Sequence, residues 1–132
     1  MERKYKNTRF SISHGGKQEE YFDYKCNIFK NLIKSINKKQ RFDKRTNKYY
    51  NSYKTHSITN NCFNDLFNLF YNKGKKEINE NILNKLSPLS LAIWYMDDGD
   101  KTGVLATNSY TIEECILIKK YFKNKWNIDT TI

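Results

Sequence analysis

Three aspartates stand close together at the end of the most apolar stretch of the sequence. Residues 86–100 read LSPLSLAIWYMDDGD. Ser87 can cap a helix that has a proline in its first turn, and Gly99 provides a stop signal. The sequence therefore predicts a largely apolar helix with Asp97 and Asp98 at its C-terminal end.

Carboxylates at that end of a helix require a physical explanation. The helix dipole is negative there, so Asp97 and Asp98 cost stability unless a cation lies beside them. A divalent metal ion would supply that cation. Alternatively, the aspartates and Asp100 begin a solvated turn, since Asp and Gly are ordinary turn residues. The apolar helix favours a functional site, because its burial would bring the carboxylates toward an interface.

The composition indicates a single domain with a polyanionic partner. The chain has 132 residues, with 24 Lys and Arg against 14 Asp and Glu, which gives a formal net charge of +10. Nucleic acid is the usual partner of such a protein. Alanine occurs only at Ala92 and Ala106, while Lys, Asn, Ile and Tyr are abundant. This bias is typical of an AT-rich genome, such as that of an organelle or a phage, so codon usage can account for part of the charge.

No feature of the sequence predicts a membrane partner or a zinc site. There is no apolar run long enough to span a bilayer, and charged residues directly after Met1 argue against a signal peptide. Cys26, Cys62 and Cys115 are widely separated and form no C-x-x-C pair. We therefore expect a soluble, intracellular protein with free thiols.

The first third of the chain predicts a strand followed by a helix. Residues 8–14 alternate between apolar and polar, which is typical of a half-buried strand. From Gln18 to about Ile36 the apolar residues recur at helical spacing, which predicts an amphipathic helix. Its lysines, including Lys25, are expected on a solvated face.

Residues 37–56 concentrate positive charge among aromatic residues. Seven Lys and Arg stand against one Asp, and the pattern predicts two strands around a turn near Thr46 and Asn47. A basic two-stranded ribbon fits the major groove of B-DNA. An idle solvated hairpin is the alternative, but codon usage alone would not cluster the charge in this way. Candidate nucleic-acid contacts in this half of the chain are Arg9, Ser11, Ser13, Lys38, Arg41, Lys44, Arg45, Tyr53, Lys54 and His56.

The remaining sequence predicts mainly helices. Asn60 or Asn61 can cap a helix that ends near Gly74, and a lysine-rich loop and a short helix lead to the acid-tipped helix. Thr111 begins a further helix with a capping-box pattern. In this half we also predict a strand from Lys101 to Asn108, an inner helix face formed by Ile112, Cys115, Ile116, Phe122 and Trp126, and the start of a strand over residues 128–132.

The acid-tipped segment resembles a known family. Residues 91–99, LAIWYMDDG, are similar to the second motif copy of the two-repeat LAGLIDADG homing endonucleases. The resemblance extends to Ile-Ser-His followed by Gln-Glu-Glu-Tyr-Phe, to the Gly74-Lys75-Lys76 loop and to the segment from Ala106 to Thr111. It therefore covers most of the chain.

The resemblance implies an α+β fold with an αββαββα repeat and an antiparallel, DNA-facing sheet. On this interpretation the fold is incomplete at both ends. Residues 1–85 would form most of a first repeat without its motif helix, and residues 86–132 would form the motif helix and the beginning of a second repeat. The first motif helix would come from another segment or chain.

The resemblance also implies a function. The family hydrolyses phosphodiesters of double-stranded DNA at specific sites with Mg²⁺ or Mn²⁺. By position in the motif, Asp98 corresponds to the catalytic metal-binding aspartate and Asp97 to a neighbour that can also face the metal. Lys76 corresponds to a catalytic loop residue near the scissile phosphate, although it could equally anchor a phosphate or be idle. Lys101, Thr107 and Asn108 are further candidate DNA contacts.

Two alternatives remain open at this point. Members of the family also act as maturases that bind intron RNA and assist its splicing, which requires basic surfaces but no carboxylate pair. A catalytically dead DNA-binding remnant would fit as well. The sequence leaves open whether the gene is encoded in an intron, an intein or a free-standing mobile element.

Overall fold

The chain is divided by its contacts into two units, Met1–Phe67 and Asn68–Ile132. The structure, a computed structural model, describes residues 2–4 and 7–132. Met1, on which the expectation about a signal peptide depends, lies outside the described residues. Within the described part, no helix is both long and apolar enough to cross a membrane. The boundary predicted between residues 85 and 86 divides two sequence repeats, and it is a different boundary from the one between these two units. The division into repeats stays a prediction.

The first unit is built on a three-stranded antiparallel sheet with strand order β3-β5-β4. The predicted hairpin is confirmed, because the two long strands pair from Ser35–His56 to Asp43–Lys48. Asn47 turns the chain between them with a left-handed φ of 53°, a conformation that Asn tolerates better than most residues. The strands of this unit are β1 (Glu2–Lys4), β2 (Asn7–Arg9), β3 (Ser11–Gly15), β4 (Ile33–Asp43) and β5 (Lys48–Ser57), of which β1 and β2 form a separate antiparallel pair.

Helix α1 (Glu19–Ile28) packs on one face of this sheet. Ile12 from β3 and Tyr53 from β5 meet Phe22 and Cys26 of the helix in the buried core. The two-residue period of the strands places these side chains on the same face. This face is therefore committed to packing, and the other face is available for contacts outside the unit.

The predicted helix from Gln18 to Ile36 is too long. It ends at Ile28, and Ile33 already belongs to β4. Ile33 and Ile36 fit a helical spacing in sequence, but they are β-branched and pair with β5, a partner that is distant in the chain. The expectation for Lys25 was also wrong. It is only 7% exposed, with its ammonium 4.6 Å from the centre of the Tyr21 ring.

The second unit is mainly helical. Helix α2 begins in the first unit after a 3₁₀ turn whose Asn60 side chain accepts a hydrogen bond from the backbone N–H of Cys62, which confirms the predicted cap. The helix ends at Phe70 rather than near Gly74, because a small hairpin follows it. The elements are α2 (Asn64–Phe70), β6 (Tyr71–Asn72), β7 (Lys75–Lys76), α3 (Glu80–Asn84), α4 (Pro88–Asp98) and α5 (Ile112–Trp126).

The capping box at the start of α5 is confirmed. Thr111 accepts from the backbone N–H of Glu114, whose Oε2 accepts from the backbone N–H of Thr111 at 2.7 Å. The other carboxylate oxygen of Glu114 accepts from the N–H of Ile78 at 2.7 Å. These two backbone hydrogen bonds, from Thr111 and from Ile78, lower the pKa of Glu114. One side chain thus caps α5 and connects it to the segment before α3.

The inner face of α5 differs from the prediction. Ile118 and Tyr121 are buried with Ile78 and Leu83, whereas the predicted inner residue Ile112 is 70% exposed. Apolar residues surround much of this helix, so the sequence alone allowed more than one inner face. Ile116 is exposed too, while Phe122 and Trp126 pack at the edge of the core and Cys115 is half-buried.

The two short strands predicted near the end of the chain are absent from the described structure. Between Lys101 and Asn108 only one isolated bridge forms, between Gly99 and Leu105. The Asp100 side chain accepts hydrogen bonds from backbone N–H groups of this segment. These bonds stabilise a turn in place of the predicted strand. Residues 128–132 have no regular secondary structure.

Gly99 ends α4 at a point of close backbone approach. A Cβ atom on Gly99 would lie 2.5 Å from the Tyr95 carbonyl oxygen and 2.7 Å from its ring. We therefore expect Gly99→Ala to lower the free energy of unfolding by about 1–3 kcal/mol, as overpacking does. Chemical denaturation followed by circular dichroism would measure this.

Gly15→Ala is the matched control, since its Cβ would meet only the Asn51 carbonyl oxygen at an ordinary 3.5 Å. We expect the stability of this variant to remain unchanged or rise slightly. Equal effects of the two substitutions would contradict the proposed close approach.

Candidate functional site

Helix α4 begins and ends where its local signals predict. The Ser87 hydroxyl accepts from the N–H of Ser90, Pro88 occupies the first turn, and Gly99 is the C-cap. The expected burial of the helix was wrong, because none of its residues is buried. Leu89 and Met96 are 48% and 55% exposed. The core of the second unit is formed mainly by other elements, so much of the apolar surface of α4 is open.

Asp98 is fixed through its backbone and presents its carboxylate to solvent. Its carbonyl oxygen accepts from the N–H of Ala106 at 2.7 Å, and its side chain is exposed. The pKa of nearby Tyr110 is raised mainly by burial and further by the negative charge of Asp98. A hydrogen bond to Trp94 opposes this increase. The segment after the helix thus holds the backbone of Asp98 and leaves its side chain exposed.

Asp100 has a different role from its two neighbours. Its Oδ1 accepts from the Thr102 hydroxyl at 2.7 Å, from the Thr102 N–H at 2.8 Å and from the Val104 N–H at 3.1 Å. These hydrogen bonds, first that of the Thr102 hydroxyl, lower the pKa of Asp100. Asp100 therefore stabilises the turn. Asp98, with Asp97 beside it, remains the metal ligand that the motif predicts.

The donor set at the end of α4 fits part of a magnesium site. Across residues 2–4 and 7–132, no group of three His, Cys, Asp or Glu side chains could hold a metal ion. Mg²⁺ commonly binds one or two carboxylates and takes its other ligands from water and substrate phosphates. The exposed carboxylates of Asp97 and Asp98 lie at the negative end of a helix dipole, which favours a cation. They could supply one side of such a site.

The other predicted residues of the second unit lie on short or irregular segments. Lys76 is exposed in β7, opposite Tyr71. Lys101 and Asn108 are exposed, and Thr107 is half-buried, with its carbonyl oxygen accepting from the N–H of Tyr110. The role of Lys76 was predicted from the family resemblance, and Lys101, Thr107 and Asn108 were predicted as further DNA contacts. All four roles remain predictions.

In the first unit, the sheet face opposite α1 carries a basic and hydroxyl-rich surface. Ser11 and Ser35 flank His56 in the pairing register, while Ser13 and Asn37 flank Lys54. Paired residues of an antiparallel sheet lie on the same face. We call this surface the open face; it comprises Ser11, Ser13, Ser35, Asn37, Lys39, Arg41, Asp43, Lys48, Tyr50, Ser52, Lys54 and His56.

A cavity of about 270 Å³ lies on the open face. Its lining is composed of side chains that are all neutral or basic, and the Nδ1 atom of His56 is buried there with no hydrogen-bond partner in the described part of the chain. Such a surface can donate hydrogen bonds to an anionic or acceptor-rich ligand. The lining residues are Ser35, Asn37, Lys39, Ser52, Lys54 and His56.

Two predicted nucleic-acid contacts point away from this surface. Tyr53 is only 4% exposed and lies in the core with α1. Lys38 pairs with Tyr53 in the register and forms ion pairs with Glu19 at 2.9 Å and Asp23 at 2.8 Å. Hydrogen bonds to Asp23 and Glu19 raise the pKa of Lys38 to about 12. The structure therefore does not support either residue as a contact of the open face.

Four residues of the cavity lining were not predicted from the sequence: Ser35, Asn37, Lys39 and Ser52. The signal that could have identified them is the two-residue period of β4, which separates Lys39 from its neighbour Lys38. The remaining predicted contacts lie outside the cavity. Arg9 is in β2, and Lys44 and Arg45 are exposed in the turn after β4.

The chain has an α+β fold, with a basic and hydroxyl-rich open face in the first unit and exposed carboxylates at the end of α4 in the second unit. The family model described as the LAGLIDADG DNA endonuclease family matches residues 1–132. The chain therefore belongs to this family, which confirms the resemblance found in the sequence.

Individual relatives agree with this assignment. The chain is 44% identical over 66 residues to the cytochrome b mRNA maturase bI2 of Debaryomyces hansenii. This match covers 48% of the chain and 25% of that protein. It is 38% identical over 68 residues to the intron-encoded endonuclease ai4 of Dictyostelium discoideum, which covers 48% of the chain and 43% of that protein. The chain thus spans less than half of either relative.

A solved structure confirms the predicted fold. The homing endonuclease I-WcaI bound to its DNA recognition sequence matches with a TM-score of 0.81 at 20% sequence identity. The match covers 99% of this chain and 63% of that chain.

Adjacent lysines on opposite faces of β4 allow a test of this division of the sheet. We expect Lys38→Gln to lower the stability of the chain at pH 7, because Glu19 and Asp23 lose their common cation. Since folding raises the pKa of Lys38, its contribution is fully present below the ordinary value of 10.5 and is lost as the pH rises through about 12. Urea denaturation at several pH values would measure the effect.

Lys39→Gln changes the same residue type on the open face and should leave stability unchanged. The difference in free energy of unfolding between Lys38→Gln and the original chain should become smaller at about 1 M salt, because salt screens exposed ion pairs. Equal stabilities of the two variants would contradict the assigned faces.

Proposed function

We propose that this chain forms part of a site-specific endonuclease that hydrolyses double-stranded DNA with Mg²⁺ or Mn²⁺. The observation that carries the proposal is the exposed carboxylate of Asp98 at the C-terminal end of α4. Its backbone is fixed by Ala106, while Asp100 is engaged in its own turn. Family membership supports the same conclusion.

DNA binding would use the open face of the sheet. A two-stranded ribbon such as β4 and β5 can enter the major groove, where its side chains reach base edges. The open face carries lysines, hydroxyls and His56, and the whole chain has a formal net charge of +10. Arg9, Lys44, Arg45 and Lys101 would contact phosphates rather than bases.

Catalysis would use the acidic end of α4. When bound, a divalent cation would lower the pKa of the attacking water and offset negative charge on the phosphate. In the proposed site Asp98 is the main ligand, and Asp97 supplies further oxygen. Lys76 contributes positive charge toward the scissile phosphate.

We propose that Asp97 and Asp98 are joined in this site by a further carboxylate from outside the described residues. Those residues include no set of three possible metal ligands, and the apolar residues Leu89 and Met96 of α4 are exposed. We infer that a second acid-tipped helix, from another segment or chain, packs against α4 and supplies this carboxylate.

A maturase function is the second candidate. It is favoured by the 44% identity to a cytochrome b mRNA maturase over 48% of the chain. Intron RNA would bind the basic surfaces and would not require Asp98. RNA binding that is as tight in Asp98→Ala as in the original chain, together with absent DNA cleavage, would support this function instead.

Asp98→Asn tests the endonuclease proposal directly. We expect it to abolish Mg²⁺-dependent cleavage, because the amide removes the charge that holds the cation. Without metal, DNA affinity should stay the same or rise, since one negative charge that repels phosphate is lost. Mg²⁺ should then increase DNA affinity less than in the original chain. Cleavage and binding of duplex DNA, with and without EDTA, would be measured.

Asp100→Asn is the matched control for this experiment. Its amide oxygen can still accept the hydrogen bonds of Thr102 and Val104, so cleavage and metal response should persist. Cleavage that survives in Asp98→Asn would contradict the proposed metal site.

A further inference from the structure

We propose that Arg41, Lys39 and Asn37 of β4 determine which base sequence the first unit recognises. Arg41 and Lys39 would each select a G·C pair, and Asn37 would select an A·T pair, at alternate positions along the site. This inference rests on the proposed binding of duplex DNA by the open face, and it adds the sequence preference of that face.

The pairing register places the three side chains in one row. Arg41 pairs with Tyr50, Lys39 with Ser52 and Asn37 with Lys54, and the irregularity of the pairing is confined to the start of β4, between Ile33 and Ser35. Asn37 and Lys39 line the same cavity. Because strand side chains alternate without interruption from residue 35 to residue 43, Arg41 continues the row on the same face.

The chemistry of these side chains suits purines. In the major groove guanine presents two acceptors, N7 and O6, to which Arg and Lys donate, whereas Asn pairs with N6 and N7 of adenine. Recognition of cytosine N4 would need a carboxylate, and the cavity lining contains none. Asp43 is the next residue in the row, but its carboxylate accepts from the N–H of Arg45 at 2.9 Å in the turn.

The side chains of the row are spaced at about twice the rise between successive base pairs. Residues two apart on a strand are separated by about 6.6 Å, and successive base pairs rise by about 3.4 Å. Neighbouring side chains of the row would therefore reach bases about two pairs apart. The serines of the lining, Ser35 and Ser52, are short and can accept or donate, so they add little discrimination.

Selection from randomised DNA duplexes, followed by sequencing of the bound fraction, tests this inference. The original chain should enrich two G·C pairs two positions apart, followed two positions later by an A·T pair. Lys39→Gln should change the middle preference from G·C to A·T, because Gln pairs with adenine. Arg41→Gln should change the first preference in the same way and leave the others. Each change should reduce affinity for the original sequence about tenfold.

Lys38→Gln is the matched control, with the same chemical change one residue away on the opposite face. It should leave the enriched sequence unchanged. The inference is overturned if the chain binds duplex DNA and Lys39→Gln keeps the original preference, or if Lys38→Gln alters the preference equally. If the chain binds no duplex even at low salt, the proposed DNA-binding function itself fails.

Discussion

The proposed metal site depends on two carboxylates placed at the end of a helix where the dipole is already negative. The chain orders the backbone at this end and leaves the side chain of Asp98 exposed. Gly99 donates to the Tyr95 carbonyl, Ala106 donates to the Asp98 carbonyl, and Asp100 holds the following turn. An arrangement that orders the backbone and leaves Asp98 exposed is suited to a cation and a phosphate brought in by a substrate.

The alternation of a single strand separates the packed face of the first unit's sheet from the open face, to which we assign DNA binding. Lys38 connects β4 to α1 through two acidic side chains, whereas Lys39 lines the open face. The same composition would have allowed either lysine to bind DNA. Only the pairing register of β4 with β5 shows that Lys38 and Lys39 lie on opposite faces. The positive charges of β4 therefore do not form one basic surface.

Capping residues in the sequence correctly predicted the bounds of α4 and the start of α5. Ser87 and Gly99 gave the bounds of α4, and Thr111 gave the start of α5, because caps act within a few residues. The start of β4 at Ile33 was missed because its pairing with β5 lies outside any local window. The predicted burial of α4 was wrong, since the hydrophobicity of a helix does not show whether another surface of the chain covers it. The roles of Asp98 and of the individual open-face residues stay predictions, because the position of a side chain does not show what binds to it.

The central claim is that Asp98 binds a divalent cation together with DNA. A crystal structure of the chain with duplex DNA and Mn²⁺ would test it through the anomalous signal of manganese. The account predicts a manganese peak about 2–2.3 Å from a carboxylate oxygen of Asp98 and in contact with a DNA phosphate. Bound DNA with manganese located only elsewhere, and with Asp98 hydrogen-bonded to solvent or to the protein, would contradict it.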